Sequence, residues 1–240
     1  MKIISTPFIE FKTEKKYWDV IPKPYPAGRL IPNWLRGLPQ YIKASPSEPF
    51  ARTIKRCSPF IDALNLGWII PLAGDVEVVV KDGRIDFRSS FPEKLMDLHD
   101  NKQINGCKGP TNGMDAIKFL NYWSIRVAKG YSVLFVPPLN RSNDLFEPFS
   151  GVVECDKYWN YVNFPAMLKK DNFSTIIEQG TPIIQLIPIP RTAIPKKGTW
   201  DQMNTKEQLA FNKVQKKLQA HTSHYRDDVW SKGKCPFVKI

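Results

Sequence analysis

The sequence predicts a mainly β protein. Short runs of β-branched and aliphatic residues recur between Trp68 and Ile189, each bounded by Gly, Pro or Asn. Asp82-Gly83 lies between Asp75–Lys81 and Arg84–Arg88, the pattern of a two-residue hairpin. An apolar period of the helical kind, sustained over several turns, is reached only beyond Thr205. At 240 residues the chain is long enough to bury a full core.

The elements follow in order. Nine of the 21 prolines fall within the first 59 residues. Ile21-Pro22-Lys23-Pro24-Tyr25-Pro26 excludes a helix or a central strand, because each Pro lacks an N–H and fixes φ. We expect residues 1–52 to form an extended, proline-rich arm pinned by Trp18, Tyr25, Trp34 and Leu35. Asn33–Pro39 reads as one helical turn stopped by Gly37 and Pro39. A short helix follows from Ser58, its expected cap, to Gly67, its left-handed exit.

Residues 53–195 are the expected β-rich body. Trp68–Leu72 and the Asp82-Gly83 hairpin open it, and residues 99–116, polar and Gly-rich, read as a long loop. Ile117–Val127 and Tyr131–Val136 are strand candidates, followed by strands near 151–155, 161–168 and 183–189. Residues 196–240 are the expected helix and tail. Thr205-x-x-Gln208 has the form of a capping box, and Phe211, Val214, Leu218 and His221 recur at helical spacing over about 205–222.

Charge is unevenly spread. The net +12 divides into +7 over residues 1–60, −2 over 61–190 and +7 over 191–240. Basic ends around a near-neutral middle suit an acidic protein or nucleic-acid partner, or a solvated surface. No apolar run reaches the roughly 18 residues of a membrane span. The first residues lack an apolar leader, so a cytoplasmic protein is expected: host cytoplasm for a phage product, with a virion location also open. Cys57, Cys107, Cys155 and Cys235 have no metal-ligand spacing and suit a core better than zinc. No cofactor is expected. The three histidines, His99, His221 and His224, are too scattered for a ligand set or a triad.

The stretch from Pro148 to Pro190 carries the candidate chemistry. Gly151-Val152-Val153-Glu154 is a strand ending in an acid, followed by Tyr158 and, later, Gly180 through Gln185. Upstream, Lys129-Gly130-Tyr131 leads to Pro138-Leu139-Asn140-Arg141-Ser142. Over roughly residues 117–190 this order resembles the late motifs of the dUTPase and dCTP-deaminase superfamily. The resemblance implies a dUTPase-like β-clip body and an oligomer, often a trimer. It differs in having Glu154 where the motif acid is Asp, in Leu139-Asn140 interrupting the Pro-Arg-Ser unit, and in lacking a glycine-rich closing arm.

Nearly the whole chain also resembles a family of proteins from tailed phages and some bacteria with no agreed activity. The matching features are Ile21-Pro22-x-Pro24-Tyr25-Pro26-Ala27, Thr53 through Asp62, Pro138 through Arg141, and Tyr225-Arg226-x-x-x-Trp230.

Three functions are open at this point. A nucleotide hydrolase or deaminase would use Glu154 or Asp156 as the acid. Arg141, Ser142 and Gln185 would act as phosphate donors, Asn140 beside them, and Tyr158 as a sugar platform, with Mg²⁺ as the only cofactor. The same residues are equally loop and strand residues without a ligand, and Asp62 equally a helix-dipole partner or a second acid. A nucleic-acid binder would grip phosphates through Lys213, Lys216, Lys217 and Arg226 and stack bases on Tyr225 and Trp230. A non-catalytic binding or assembly protein would use the arms as contacts; the missing closing arm and the basic termini favour it.

Overall fold

The computed structural model describes residues 9–43, 50–99, 116–220 and 224–230. Its strands, in chain order, begin with β1 (Ile9–Lys12), β2 (Tyr25–Pro26), β3 (Tyr41–Ile42), β4 (Ala51–Arg52) and β5 (Trp68–Pro71). Next come β6 (Val76–Lys81), β7 (Arg84–Arg88), β8 (Met96–His99), β9 (Ala116–Phe119) and β10 (Ser124–Val127). The last are β11 (Tyr131–Val136), β12 (Phe146–Pro148), β13 (Gly151–Val153), β14 (Phe164–Leu168), β15 (Phe173–Ile177) and β16 (Pro182–Pro190). Helices α1 (Asn33–Gly37), α2 (Ser58–Asn65) and α3 (Thr205–Ala220) complete the set, with short 3₁₀ turns between.

The described residues fall into two compact units. One joins those up to Arg29 to Leu66–Ala193; the other joins Leu30–Asn65 to those from Ile194 onward. Of the expected segments, 1–52 and 53–195 each contribute residues to both units.

The first unit is all antiparallel. A five-stranded sheet has the order β13-β11-β16-β5-β2, a four-stranded sheet β12-β14-β9-β8, and a three-stranded sheet β15-β6-β7; β1 pairs with β10. The core lies here. Along β6, Val76, Val78 and Val80 are buried while the residues between them turn outward, the period-two pattern of a half-covered strand. Each such valine contributes roughly 1.5–3 kcal/mol by leaving water. Phe135 of β11 meets Phe164 of β14 with ring centroids 5.6 Å apart, joining the two larger sheets.

The Asp82-Gly83 turn forms as expected: both residues have positive φ, 50° and 76°, as the twist-matched hairpin turn requires. The candidate strand over residues 117–127 does not persist. It breaks into β9 and β10, in different sheets, because the Asn121 side chain replaces the ladder. Its Oδ1 accepts from Trp123 N at 3.0 Å and its Nδ2 donates to Trp123 O at 2.7 Å.

The N-terminal segment is also less of an arm than its prolines suggest. β1 pairs with β10, and Tyr25–Pro26 borders the five-stranded sheet against Ile69 and Trp68. Pro is tolerated at such an edge because its missing N–H is not needed there. Tyr17, Ile21, Ala27 and the expected pin Leu35 are buried in this segment, whereas the expected pins Trp18 and Trp34 are exposed.

The second unit holds α1, the two-stranded β3–β4 pair, α2, α3 and a π-helical turn at Tyr225–Val229. α2 begins one residue earlier than its sequence signal, since Ile61 N donates to Cys57 O at 3.1 Å. α3 is capped by Asn204 and Glu207 rather than Thr205 and Gln208. Asn204 N donates to Glu207 Oε2 at 2.8 Å and Glu207 N to Asn204 Oδ1 at 3.0 Å. His221 lies outside the described residues, as do Cys107, Cys235 and residues 100–115 of the loop expected over 99–116, whose end residues His99 and Ala116 belong to β8 and β9.

Candidate functional site

The candidate residues are distributed along β11, so its register decides what they can do together. Tyr131 stands opposite Pro190 and Val136 opposite Gln185 in the pairing with β16. Asp156 accepts a hydrogen bond from Gly130 N, at the start of β11. Arg141 and Gln185 lie at its far end. Five strand steps of about 3.4 Å separate the two groups, roughly 17 Å. The candidate acids and the candidate phosphate donors do not converge.

At the near end, Gly130 adopts φ 87° and closes a turn in which Tyr131 N donates to Ala128 O. This presents Gly130 N to Asp156 Oδ2 at 2.8 Å. Arg191, just past β16, completes the arrangement. Its Nη1 donates to Asp156 Oδ1 at 2.9 Å and to Tyr131 O at 2.7 Å, and its Nη2 to Asp156 Oδ2 at 2.7 Å. The pairing is a two-pronged guanidinium–carboxylate fork.

The Arg191 side chain and the Gly130 amide hold the Asp156 carboxyl far below the usual carboxylate range. A carboxylate so stabilised is a poor proton acceptor, and both its oxygens are occupied. It ties the ends of β11 and β16 to the loop after β13. Arg191 was not legible as a functional residue: 35 positions separate it from Asp156, and no local motif marks it.

Glu154 lies outside that fork. It is half-exposed, and the neighbouring Lys157 ammonium lowers its pKa. Arg191 approaches it only at 4.0 Å. Tyr158 is 47% exposed beside Trp159, whose ring carries the Arg126 guanidinium 4.1 Å from its centroid. Cys155, between the two acids, is buried, and burial pushes its thiol up to about 12. It is inert as a nucleophile at neutral pH.

At the far end, Gln185 is fully buried. Its Oε1 accepts from Leu139 N at 2.8 Å and its Nε2 donates to Leu66 O at 2.5 Å. Arg141 is turned inward as well: Nη1 donates to Leu139 O at 3.0 Å and Nη2 to Ala27 O at 2.8 Å. Burial lowers its pKa to about 10. Asn140, with φ 58°, makes the bend that permits this. Asn140 and Ser142 are exposed.

A cleft of about 140 Å³ opens beside this loop, lined by Pro137, Pro138, Arg141, Ser142, Glu147 and Lys169 among others. Neither Glu154, Tyr158 nor Gln185 lines it. Lys169 pairs there with Glu147 at 3.1 Å and donates to Asn143 O at 3.0 Å. Strand pairing of β12 with β14 brings that pair together, which sequence spacing alone did not reveal.

The C-terminal candidates divide. Lys213, Lys216 and Lys217 are exposed on α3, and Tyr225 is 46% exposed. Trp230 instead donates its indole N–H to Asp62 Oδ2 at 2.8 Å, anchoring the tail to α2. That gives Asp62 a packing role. Arg226 has its Nη1 buried without a hydrogen-bond partner. His224 is buried, with Nδ1 2.6 Å from Asp228 Oδ2.

No helix of the described residues is long and apolar enough to cross a membrane. Compared with known proteins, the chain matches no family model and no curated protein.

Proposed function

We propose that this is a non-catalytic binding or assembly protein of the kind tailed phages encode, built on a dUTPase-like β-clip scaffold. The observation that carries this reading is the separation along β11. Asp156 is locked by Arg191 and Gly130 at one end, and Gln185 and Arg141 bond backbone atoms of Leu139, Leu66 and Ala27 at the other. A hydrolase needs its acid and its phosphate donors around one reacting centre, within hydrogen-bond reach of it. Of the side chains that resemble a nucleotide site, Asp156, Arg141 and Gln185 instead hold strands and loops together.

The basic ends favour contact with an acidic macromolecule, and self-association into a homo-oligomer, a trimer by resemblance, is compatible with this role. The test is turnover. Purified full-length protein with Mg²⁺ and a panel of nucleoside triphosphates and deoxynucleoside triphosphates should release neither pyrophosphate nor ammonia above background. Turnover that disappears in Glu154→Gln would refute the proposal and return the acid role to that residue.

A further inference from the structure

The second unit leaves its apolar side chains uncovered. Of 33 buried hydrophobic residues described, only Leu35 and Leu64 belong to it, while it holds 13 of the 21 exposed large hydrophobics. The concentration is greatest around α3. Trp200 is 92% exposed, Met203 53%, Phe211 43% and Val214 45%, and no residue of the 16-residue helix is buried.

Steps of 100° per residue place Phe211, Val214 and Leu218 on one stripe about 60° wide. Lys206, Lys213, Lys216 and Lys217 lie along the flank and back of the same helix, with Leu209 roughly opposite the stripe. An isolated helix of this length is marginal in water and gains its stability from packing an apolar face. This one therefore calls for an occupant.

Charge selects among occupants. The segment 191–240 carries +7, so a second copy laid along the stripe would bring like charge against like within a screening length of about 8 Å. An acidic surface gains where a second copy loses. A purely anionic polymer would satisfy the lysines but leave Phe211, Val214 and Trp200 in water.

We infer that α3 docks through Phe211, Val214 and Leu218 into an apolar groove with an acidic rim on a partner protein, with Trp200 as an additional anchor. Lys206 and Lys217, on the flank of the stripe, then face the rim. Spacing of anchors at i, i+3 and i+7 is that of a helix laid in a groove. This rests on the binding-protein reading above and names the partner's chemistry. The two fail separately, since nucleotide turnover would refute that reading without altering the contact measured below.

The experiment uses calcium-loaded calmodulin as a probe, because it presents apolar grooves rimmed by acids. Titrated into the full chain at 0.15 M salt and followed by Trp fluorescence, it should bind with a Kd in the micromolar range. The double variant Phe211→Ser, Val214→Ser should weaken binding about 30-fold or more. Leu209→Ser, on the other side of the helix, should leave it unchanged.

Four results would overturn the inference. The first is no binding at about 100 μM probe. The second is equal loss with Leu209→Ser. The third is sedimentation as a dimer that the double variant disperses, which makes a second copy the occupant. The fourth is a fall in Tm above about 5 °C in the double variant, which places the stripe inside the chain's own packing. Binding to duplex DNA or to phosphatidylglycerol vesicles that the double variant leaves intact, in the absence of calmodulin binding, would assign the helix to electrostatics alone.

Discussion

Gln185→Met separates the two roles open to that residue. In the scaffold role, the amide bridges Leu139 N and Leu66 O from a fully buried position. Met matches its length but makes neither bond. The substitution removes the Gln185 partner of one part-buried N–H and one part-buried C=O, each costing up to about 1–3 kcal/mol. The apolar side chain recovers part of this, so the expected loss is about 2–4 kcal/mol. In a chain of this size that corresponds to a fall in Tm of roughly 5–15 °C.

Urea titration followed by tryptophan fluorescence measures it, with the slope against urea expected to stay constant. Ser142→Ala, at an exposed position of the neighbouring loop, should change stability by less than about 0.5 kcal/mol. A loss below about 1 kcal/mol for Gln185→Met would mean the two bonds are dispensable. The account of this end of β11 as scaffold would then fail.

Two further outcomes follow from the same geometry. Gly67 has φ 72°, and a Cβ there would stand 1.9 Å from Leu186 O, a backbone atom that cannot yield. Gly83 has φ 76° with nothing within 4 Å. Gly67→Ala should therefore cost more than about 3 kcal/mol and Gly83→Ala about 1 kcal/mol by the same urea titration; equal costs would contradict the close approach of these chains. The Asp156 carboxyl, lowered by Arg191 and Gly130, contributes stability above the ordinary aspartate pKa of about 4. That contribution disappears as pH falls below this value towards the folded pKa. Asp156→Asn should destabilise at pH 7 and flatten the acid limb of a Tm-against-pH curve, while an unchanged limb would place the acid sensitivity elsewhere.

Local chemistry alone determined several elements. The Asp82-Gly83 hairpin, the single turn at Asn33–Gly37, α2, β11 and the helix beginning at Thr205 all follow from turn residues, β-branched runs and helical spacing. These signals act between residues a few positions apart. Where competing local interactions stood close together, the outcome differed by a residue or two. Asn204 and Glu207 cap α3 in place of Thr205 and Gln208. The Asn121 side chain cuts one expected strand into two.

Tertiary structure decided the meaning of the motif residues. Glu154, Asp156, Arg141 and Gln185 share a stretch of sequence that resembles a nucleotide site. Their placement depends on antiparallel register, which sends the two groups to opposite ends of β11. The partners of Asp156 and Trp230 lie 35 and 168 residues away in the chain, at Arg191 and Asp62. No periodicity or spacing encodes such pairings. They arise when strands and helices close on one another, and a carboxylate that gains a guanidinium in that closure loses the basicity its motif suggests.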